Sequence, residues 1–446
     1  MKKILIIAIT LTVFCGLAQP NQQKAARVDS ILTVYAKQNK FNGSVLIGHK
    51  GKTLLAKGYG MANYNYDIAN TSTTKFKLAS VSKQFTAMAI MILQEKGKLG
   101  VDDKLSKYIP DYPKGDKISV YNLITHTSGI TNVTSLPSFD SIKVMPHSHE
   151  QLIAHFKNKP LEFEPGTKMD YSNSGYILLS YIIEKASGKK YGEFMQENIF
   201  KPLGMKNSGL FTNQEVLKNI ALGYSETDNG PVNVAYIDMS IPSGAGALYS
   251  TVEDMYLWDQ ALYTEKLVKK SSLEKIFTPF KDNYAYGVKV DSYANHKMIT
   301  HSGGIEGFAT ITYRFPDDEL YIVILKNFDN QTFFPAHKIS RAIMLDQKFE
   351  LPVERKIAAI NTNVYKTFVG EYELQPGFVF NVTTEAGKLF AQATNQPKIE
   401  IFPEGEYKYF VKVVDAQFEF NKDEKGNIAS LTLFQGGAKM PAKKIK

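Results

Sequence analysis

Cysteine is nearly missing from this chain: the 446 residues include one, Cys15. It sits in an apolar N-terminal run, so the rest of the chain has no disulfide framework and no thiol nucleophile. Long apolar runs are missing too. Beyond Phe14 no stretch reaches the roughly 20 apolar residues of a membrane-spanning helix. No paired cysteines and no HExxH pattern are present, which leaves His147, His149 and His155 as the only metal candidates. Their spacing fits no zinc motif, and a polar helix start explains them better. The Gly-rich stretch Pro242 to Thr251 lacks the spacing and the lysine of a phosphate loop, so it reads as architectural. Charge of one sign is not concentrated: 53 basic residues stand against 44 acidic ones, interspersed except at Lys439, Lys443, Lys444 and Lys446. That argues against a nucleic-acid partner and for a solvated basic tail.

What is present begins with Lys2 and Lys3, the apolar run Ile4 to Phe14 and the small residues around Gly16-Leu17-Ala18. This is the pattern of a secretory signal, residues 1–18, and it predicts a secreted or periplasmic protein starting near Gln19. Lipid anchoring at Cys15 is disfavoured because Phe14 is bulky where a small residue is needed. With 43% hydrophobic and 22% charged residues, the chain is an ordinary globular one, long enough for two domains. Helical periodicity over Lys24 to Gln38 precedes a β-hairpin, Ser44 to Gly48 and Thr53 to Ala56. Strands return at Met298 to Gly304, ending in glycines, at Phe308 to Phe315 and at Leu320 to Leu325, and a helix from Phe334 to Leu345 ends the first domain. The pattern predicts an α+β fold, helices packed against an antiparallel sheet, over residues 19–345. A charged linker, 346–363, leads to six short strands punctuated by turns, at Phe378 to Thr383, Lys388 to Ala393, Lys398 to Phe402, Lys408 to Val413, Gln417 to Asn421 and Ile428 to Gln435, a small all-β barrel over 364–446.

The chemistry gathers around Ser80 and Lys83. Ser80 opens an apolar helix running to Leu93, with Gly97 past its end, and Lys83 lies one turn in on the same face. A buried lysine loses its proton readily and can act as base toward the serine. SxxK also occurs at Ser72/Lys75, Ser187/Lys190 and Ser272/Lys275, but only Ser80 opens a buried helix. Tyr171 and Asn173, two apart before another apolar helix, present side chains to one local surface, the alternative being a packed tyrosine with a capping asparagine. His126 reads as a buried histidine bonded to backbone. His301 points at a ligand or into the core, and Gly303 and Gly304 would let a ligand approach a strand edge.

In order, SxxK at Ser80/Lys83, YxN at Tyr171/Asn173 and HxG at His301/Gly303 resemble the serine β-lactamase and penicillin-binding-protein superfamily, in its class C-like branch. Leu123 to Gly129, and Ser243 to Gly246 with Thr251 and Asp254, resemble further segments of that branch. The C-terminal part resembles the lipocalin-like domain appended to such hydrolases. For the first domain the resemblance implies the sheet flanked by helices plus a mostly helical subdomain, with the active site in the cleft between them. The resemblance implies Ser80 as acylated nucleophile, Lys83 and Tyr171 as general base and acid, and Asn173 as the group orienting Lys83 and substrate. It implies an oxyanion hole from the backbone N–H groups of Ser80 and Gly304, a substrate edge at Gly303 and Gly304, and neither metal nor cofactor. His301 stands where many relatives carry lysine, so a permanent cation for a substrate carboxylate is missing. Esters, peptides or amides, D-amino-acid compounds included, therefore rank above β-lactams. A β-lactamase, a D-alanyl-D-alanine carboxypeptidase and a non-catalytic penicillin-binding or sensor protein are the alternatives. Self-association through the C-terminal domain is left open.

Overall fold

The computed structural model describes residues 19–227, 230–329, 333–351, 355–412, 416–435 and 438–446. The expected signal, residues 1–18 with Cys15, lies outside them. The chain divides into two compact units, the first ending at Phe349 and the second spanning Glu350–Lys446.

The first unit is built on a six-stranded antiparallel sheet. Its strands run in the order Lys289–Tyr293, His296–Ile305, Phe308–Phe315, Leu320–Lys326, Gly43–His49, Lys52–Tyr59. The hairpin joining the last two turns at Lys50 and Gly51, with φ of 48° and 73°, the pair of left-handed residues that matches strand twist in a two-residue loop. Leu320–Lys326 is buried along its whole length because it is apolar on both faces. Ile322 and Ile324 face one core with Val28 and Leu32 of the helix Gln19–Lys37 and Ile339 and Ile343 of the helix Phe333–Met344. Tyr321, Val323 and Leu325 face the other, which continues into the helical subdomain. There the helix Lys83–Glu95 is buried from Lys83 to Leu93, with Phe85 packed 4.2 Å from Trp258, ring to ring.

Three expectations change, and the Gly-rich stretch keeps the architectural role read from its sequence. The helix carrying the SxxK motif begins at Lys83, and Ser80 sits before it in a 3-10 turn, Ala79–Ser82, entered by Ala79 at φ 48°. The strand carrying His301 does not stop at the glycines but runs on to Ile305. The Gly-rich stretch is a short helical turn, Ser243–Gly246, then a strand, Leu248–Ser250, and Thr251 caps the helix Val252–Ala261 by accepting the Asp254 N–H at 3.1 Å. The basic C-terminal residues are not a free tail, since Ala438–Lys444 is a strand.

That strand belongs to the second unit, a closed antiparallel barrel of eight strands whose first and last members pair at Tyr372 and Lys444. The sequence pattern identified six of them; Gly370–Gln375 and Ala438–Lys444 are the other two. Alternating residues fill the interior with aromatic rings, Phe368 stacked on Phe420 at 4.2 Å and Tyr409 edge-on to Phe420 at 5.5 Å.

Candidate active site

Lys83 is the centre of the polar cluster. Its side chain is wholly buried, and Nζ lies 3.1 Å from Ser80 Oγ, 2.8 Å from Asn173 Oδ1 and 2.9 Å from the Ala245 carbonyl. Among the described residues no carboxylate pairs with it, and burial pushes its pKa well below the ordinary lysine value. A neutral amine has two protons and one lone pair. Two carbonyl oxygens and one hydroxyl match that inventory: Asn173 and Ala245 accept from Nζ, and in the neutral form the lone pair would face the Ser80 hydroxyl.

Tyr171 stands beside this pair, its ring centroid 4.7 Å from Lys83 Nζ and its hydroxyl close enough to Ser80 for that side chain to act on its pKa. Burial drives the phenol pKa upward against the opposing effect of Ser80, so the group keeps its proton. Asn173 is the first residue of the helix Asn173–Ser187 rather than its cap. Its backbone N–H donates to Asn132 Oδ1 at 3.0 Å, which ties the loop 131–135 to the site.

Behind Tyr171 lies a wall of neutral rings. His126 packs 4.3 Å from Tyr171 and 4.7 Å from Tyr284, and its Nδ1 accepts the Ser172 N–H at 3.1 Å. His301 is 8% exposed, with Nδ1 2.6 Å from the Ser302 carbonyl and Nε2 3.1 Å from Tyr284 Oη. A carbonyl can only accept, so Nδ1 carries the proton and Nε2 accepts from Tyr284. Burial first, then the positive charge Lys83 carries in its protonated form, lowers the His301 pKa to about 4, and burial holds His126 well below its ordinary value.

The structure brings Ser80, Lys83, Tyr171 and Asn173 into contact and sets His301 behind them, facing Tyr284. The two glycines differ. A Cβ on Gly303 would meet the Leu78 carbonyl at 2.5 Å and Ser80 N at 2.9 Å, so its bareness lets the strand lie against the Ser80 turn. At Gly304 nothing lies within 4 Å, and this glycine faces an open cavity.

Several participants carry no sequence signal. The Ala245 carbonyl is a backbone group in a turn that reads as architectural, and Tyr284 lies in a loop 17 residues before its partner. His149 is not a solvated helix start. Its Nε2 lies 2.7 Å from Ser243 Oγ and 3.0 Å from Ser180 Oγ, and its Nδ1 lies 3.3 Å from Glu184 Oε2. Glu184 accepts the Tyr191 N–H at 2.9 Å, the Tyr191 hydroxyl meets Thr86 at 2.8 Å, and Thr86 donates to the Gly244 carbonyl at 2.7 Å. This closed ring pins the turn that presents the Ala245 carbonyl to Lys83. His147 and His155 instead face each other, Nε2 to Nε2 at 3.1 Å. Among the described residues no group of three His, Cys, Asp or Glu side chains could hold a metal ion, and no helix is long and apolar enough to cross a membrane.

Residues 28–343 match the family profile described as Beta-lactamase. The chain belongs to the β-lactamase family. Residues 354–444 match a second profile, a domain of unknown function designated DUF3471. A penicillin-binding protein of Bacillus subtilis (strain 168) is 31% identical over 455 residues, 95% of this chain and 100% of that protein. Teichoic acid D-alanine hydrolase of Staphylococcus aureus is 27% identical over 299 residues, 65% of this chain and 71% of its own length. The octameric penicillin-binding protein homologue from Pyrococcus abyssi superposes with a TM-score of 0.65 at 26% identity, over 94% of this chain and 99% of that one. The D-amino acid amidase of Ochrobactrum anthropi SV3, with a TM-score of 0.65 at 22% identity over 73% of this chain and 99% of its own, shares the fold. Members of this β-lactamase and penicillin-binding-protein family are hydrolases of the serine type, and the present chain has their fold.

Proposed function

We propose that this family member is an exported serine hydrolase acting on esters and on amide or peptide bonds, D-amino-acid compounds included, through an acyl-Ser80 intermediate. The observation that carries the reading is the wholly buried Lys83, its Nζ 3.1 Å from Ser80 Oγ and held by the Asn173 and Ala245 oxygens, with its pKa pushed well below the ordinary lysine value by burial. In the acylation step the Ser80 proton passes to Lys83 Nζ as Oγ bonds to the substrate carbonyl carbon. The backbone N–H groups of Ser80 and Gly304 receive the oxyanion. Tyr171, protonated and close to Ser80, delivers a proton to the leaving group and recovers one from Lys83. Water then attacks the ester of Ser80, and the proton it loses returns to Oγ as the acid product departs.

Relatives bearing the names of a D-alanine hydrolase and a D-amino acid amidase are in keeping with ester and amide substrates. His301, neutral and turned to Tyr284, offers no cation to a substrate carboxylate, which places β-lactams lower. The penicillin-binding relative favours a second reading, a protein that binds β-lactams without turnover. A fluorophosphonate followed by peptide mass spectrometry, with p-nitrophenyl esters, D-aminoacyl amides and a chromogenic cephalosporin as substrates, separates the two. The expected result is an adduct on Ser80 and ester turnover that Ser80→Ala abolishes. Labelling elsewhere, or ester turnover surviving in Ser80→Ala, overturns the reading. Stoichiometric acylation by the cephalosporin without turnover of any substrate supports the second.

A further inference from the structure

Beside Ser80 lies a cavity of about 160 Å³. Several stretches of chain supply its apolar wall, the larger side chains among them being Phe139, Ile177, Ile237, Ile241 and Ile305. Ile177 is one helical turn after Asn173 on the same face, so the helix that holds the Lys83 partner also lines the cavity. The polar groups Ser80, Asn173 and Gly304 are its boundary with the cluster described above. Glu306 is the charged residue on its lining, and Lys143, 3.3 Å away and itself 2.8 Å from Asp140, already pairs with that carboxylate. No lysine or arginine lines the cavity, so nothing there selects a carboxylate.

Size then narrows the occupant. An apolar cavity of about 150 Å³ holds one benzene ring. An acetyl or D-alanyl methyl group would leave most of this one empty. We infer that the cavity is the acyl-group site and takes a neutral, apolar acyl chain of about six carbons or one aromatic ring, an assignment that rests on the acyl-Ser80 reading. The fit selects an acyl donor larger than alanyl, with its carbonyl between Ser80 and Gly304 and its side chain among Phe139, Ile237 and Ile241.

The test is kcat/KM for p-nitrophenyl acetate, butyrate, hexanoate, 3-phenylpropionate and dodecanoate. Each buried methylene is expected to raise kcat/KM about fourfold up to hexanoate, with 3-phenylpropionate equally good and dodecanoate falling back. Ile237→Phe, which fills the cavity, is expected to cut the hexanoate-to-acetate ratio at least about tenfold. Phe139→Ala is expected to move the optimum to longer chains. A flat series in the wild type, or a ratio that ignores both substitutions, overturns the assignment. Should Ile237→Phe not fold, the wild-type series and the half-buried Phe139 position decide alone. Ester turnover surviving in Ser80→Ala would instead remove the acyl-enzyme reading, so the two failures are distinguishable.

Discussion

Replacing His301 by glutamine is expected to erase a pH dependence of stability that the wild type shows between about pH 6.5 and pH 4. In the folded protein the imidazole pKa is lowered to about 4, by burial first and by the charge of protonated Lys83 second. In the unfolded chain it returns to about 6.5. Above pH 6.5 neither state binds the proton, and below pH 4 both do. Between those limits only the unfolded state takes it up, so stability falls as the pH falls. The full drop is about 3 kcal/mol, of which about 2 to 3 kcal/mol separates pH 7 from pH 4.5. Trp258 is the only tryptophan and is buried against Phe85, so urea unfolding followed by its fluorescence reports on the hydrolase unit. The wild type should lose about 2 to 3 kcal/mol more than His301→Gln on going from pH 7 to pH 4.5. His126 remains in both proteins and cancels to the extent that the sites are independent. Equal losses would mean that His301 is already charged in the folded state. It could then pair with a substrate carboxylate, and the argument placing β-lactams below esters would fail with it.

Lys83→Met is expected to slow fluorophosphonate labelling of Ser80 by about 10²- to 10⁴-fold while stability holds or rises, since a buried amine is exchanged for a thioether of similar length. Wild-type kcat/KM should fall as the pH drops through the Lys83 pKa, with that limb centred well below 10.5, and a pH-independent rate would contradict a neutral-lysine base. Gly303→Ala drives a Cβ to within 2.5 Å of the Leu78 carbonyl; loss of Ser80 labelling is expected, and an unchanged labelling rate would show that the strand need not lie so close. His149→Ala opens the ring that pins the Ala245 carbonyl and should lower kcat about tenfold with KM little altered, the size of one lost hydrogen bond in the buried network. A change in KM alone would count against that positioning role.

Much of the architecture was legible because it follows from side-chain pattern. The hairpin at Lys50-Gly51, the buried helix behind Ser80 and the alternation along Phe308–Phe315 are each dictated by residues close in sequence. The barrel was legible in six strands of eight. Ala438–Lys444 was not, because its lysines and Pro441 resemble a solvated tail, and what makes it a strand is pairing with both Ile428–Gln435 and Gly370–Gln375. At the site, Ser80, Lys83, Tyr171 and Asn173 announce themselves as side chains in ordered motifs. The Ala245 carbonyl cannot, because every residue carries a carbonyl and only the left-handed Ser243, at φ 39°, and the ring through His149 aim this one. Gly303 was legible as a close approach but not as to what approaches it.

The wall of neutral groups also explains how a lysine can serve here without a carboxylate to steady it. Lys83 meets only dipoles, from Asn173, Ala245 and Ser80, and its near neighbours His126, His301, Tyr171 and Tyr284 are all uncharged at neutral pH. An acidic partner would hold the ammonium form and remove the lone pair from Ser80, while a cationic histidine would depress the lysine so far that it could not take the serine proton. The neutral surroundings avoid both. Under the proposed mechanism the ammonium would form only as an oxyanion forms a few ångströms away, so the two charges would arise together in a site of low polarity, where their attraction is strongest. The Tyr284 hydroxyl enters this argument directly. By donating to His301 Nε2 it fixes the neutral tautomer, and Tyr284→Phe would leave that nitrogen buried without a donor, free to take up a proton beside Lys83.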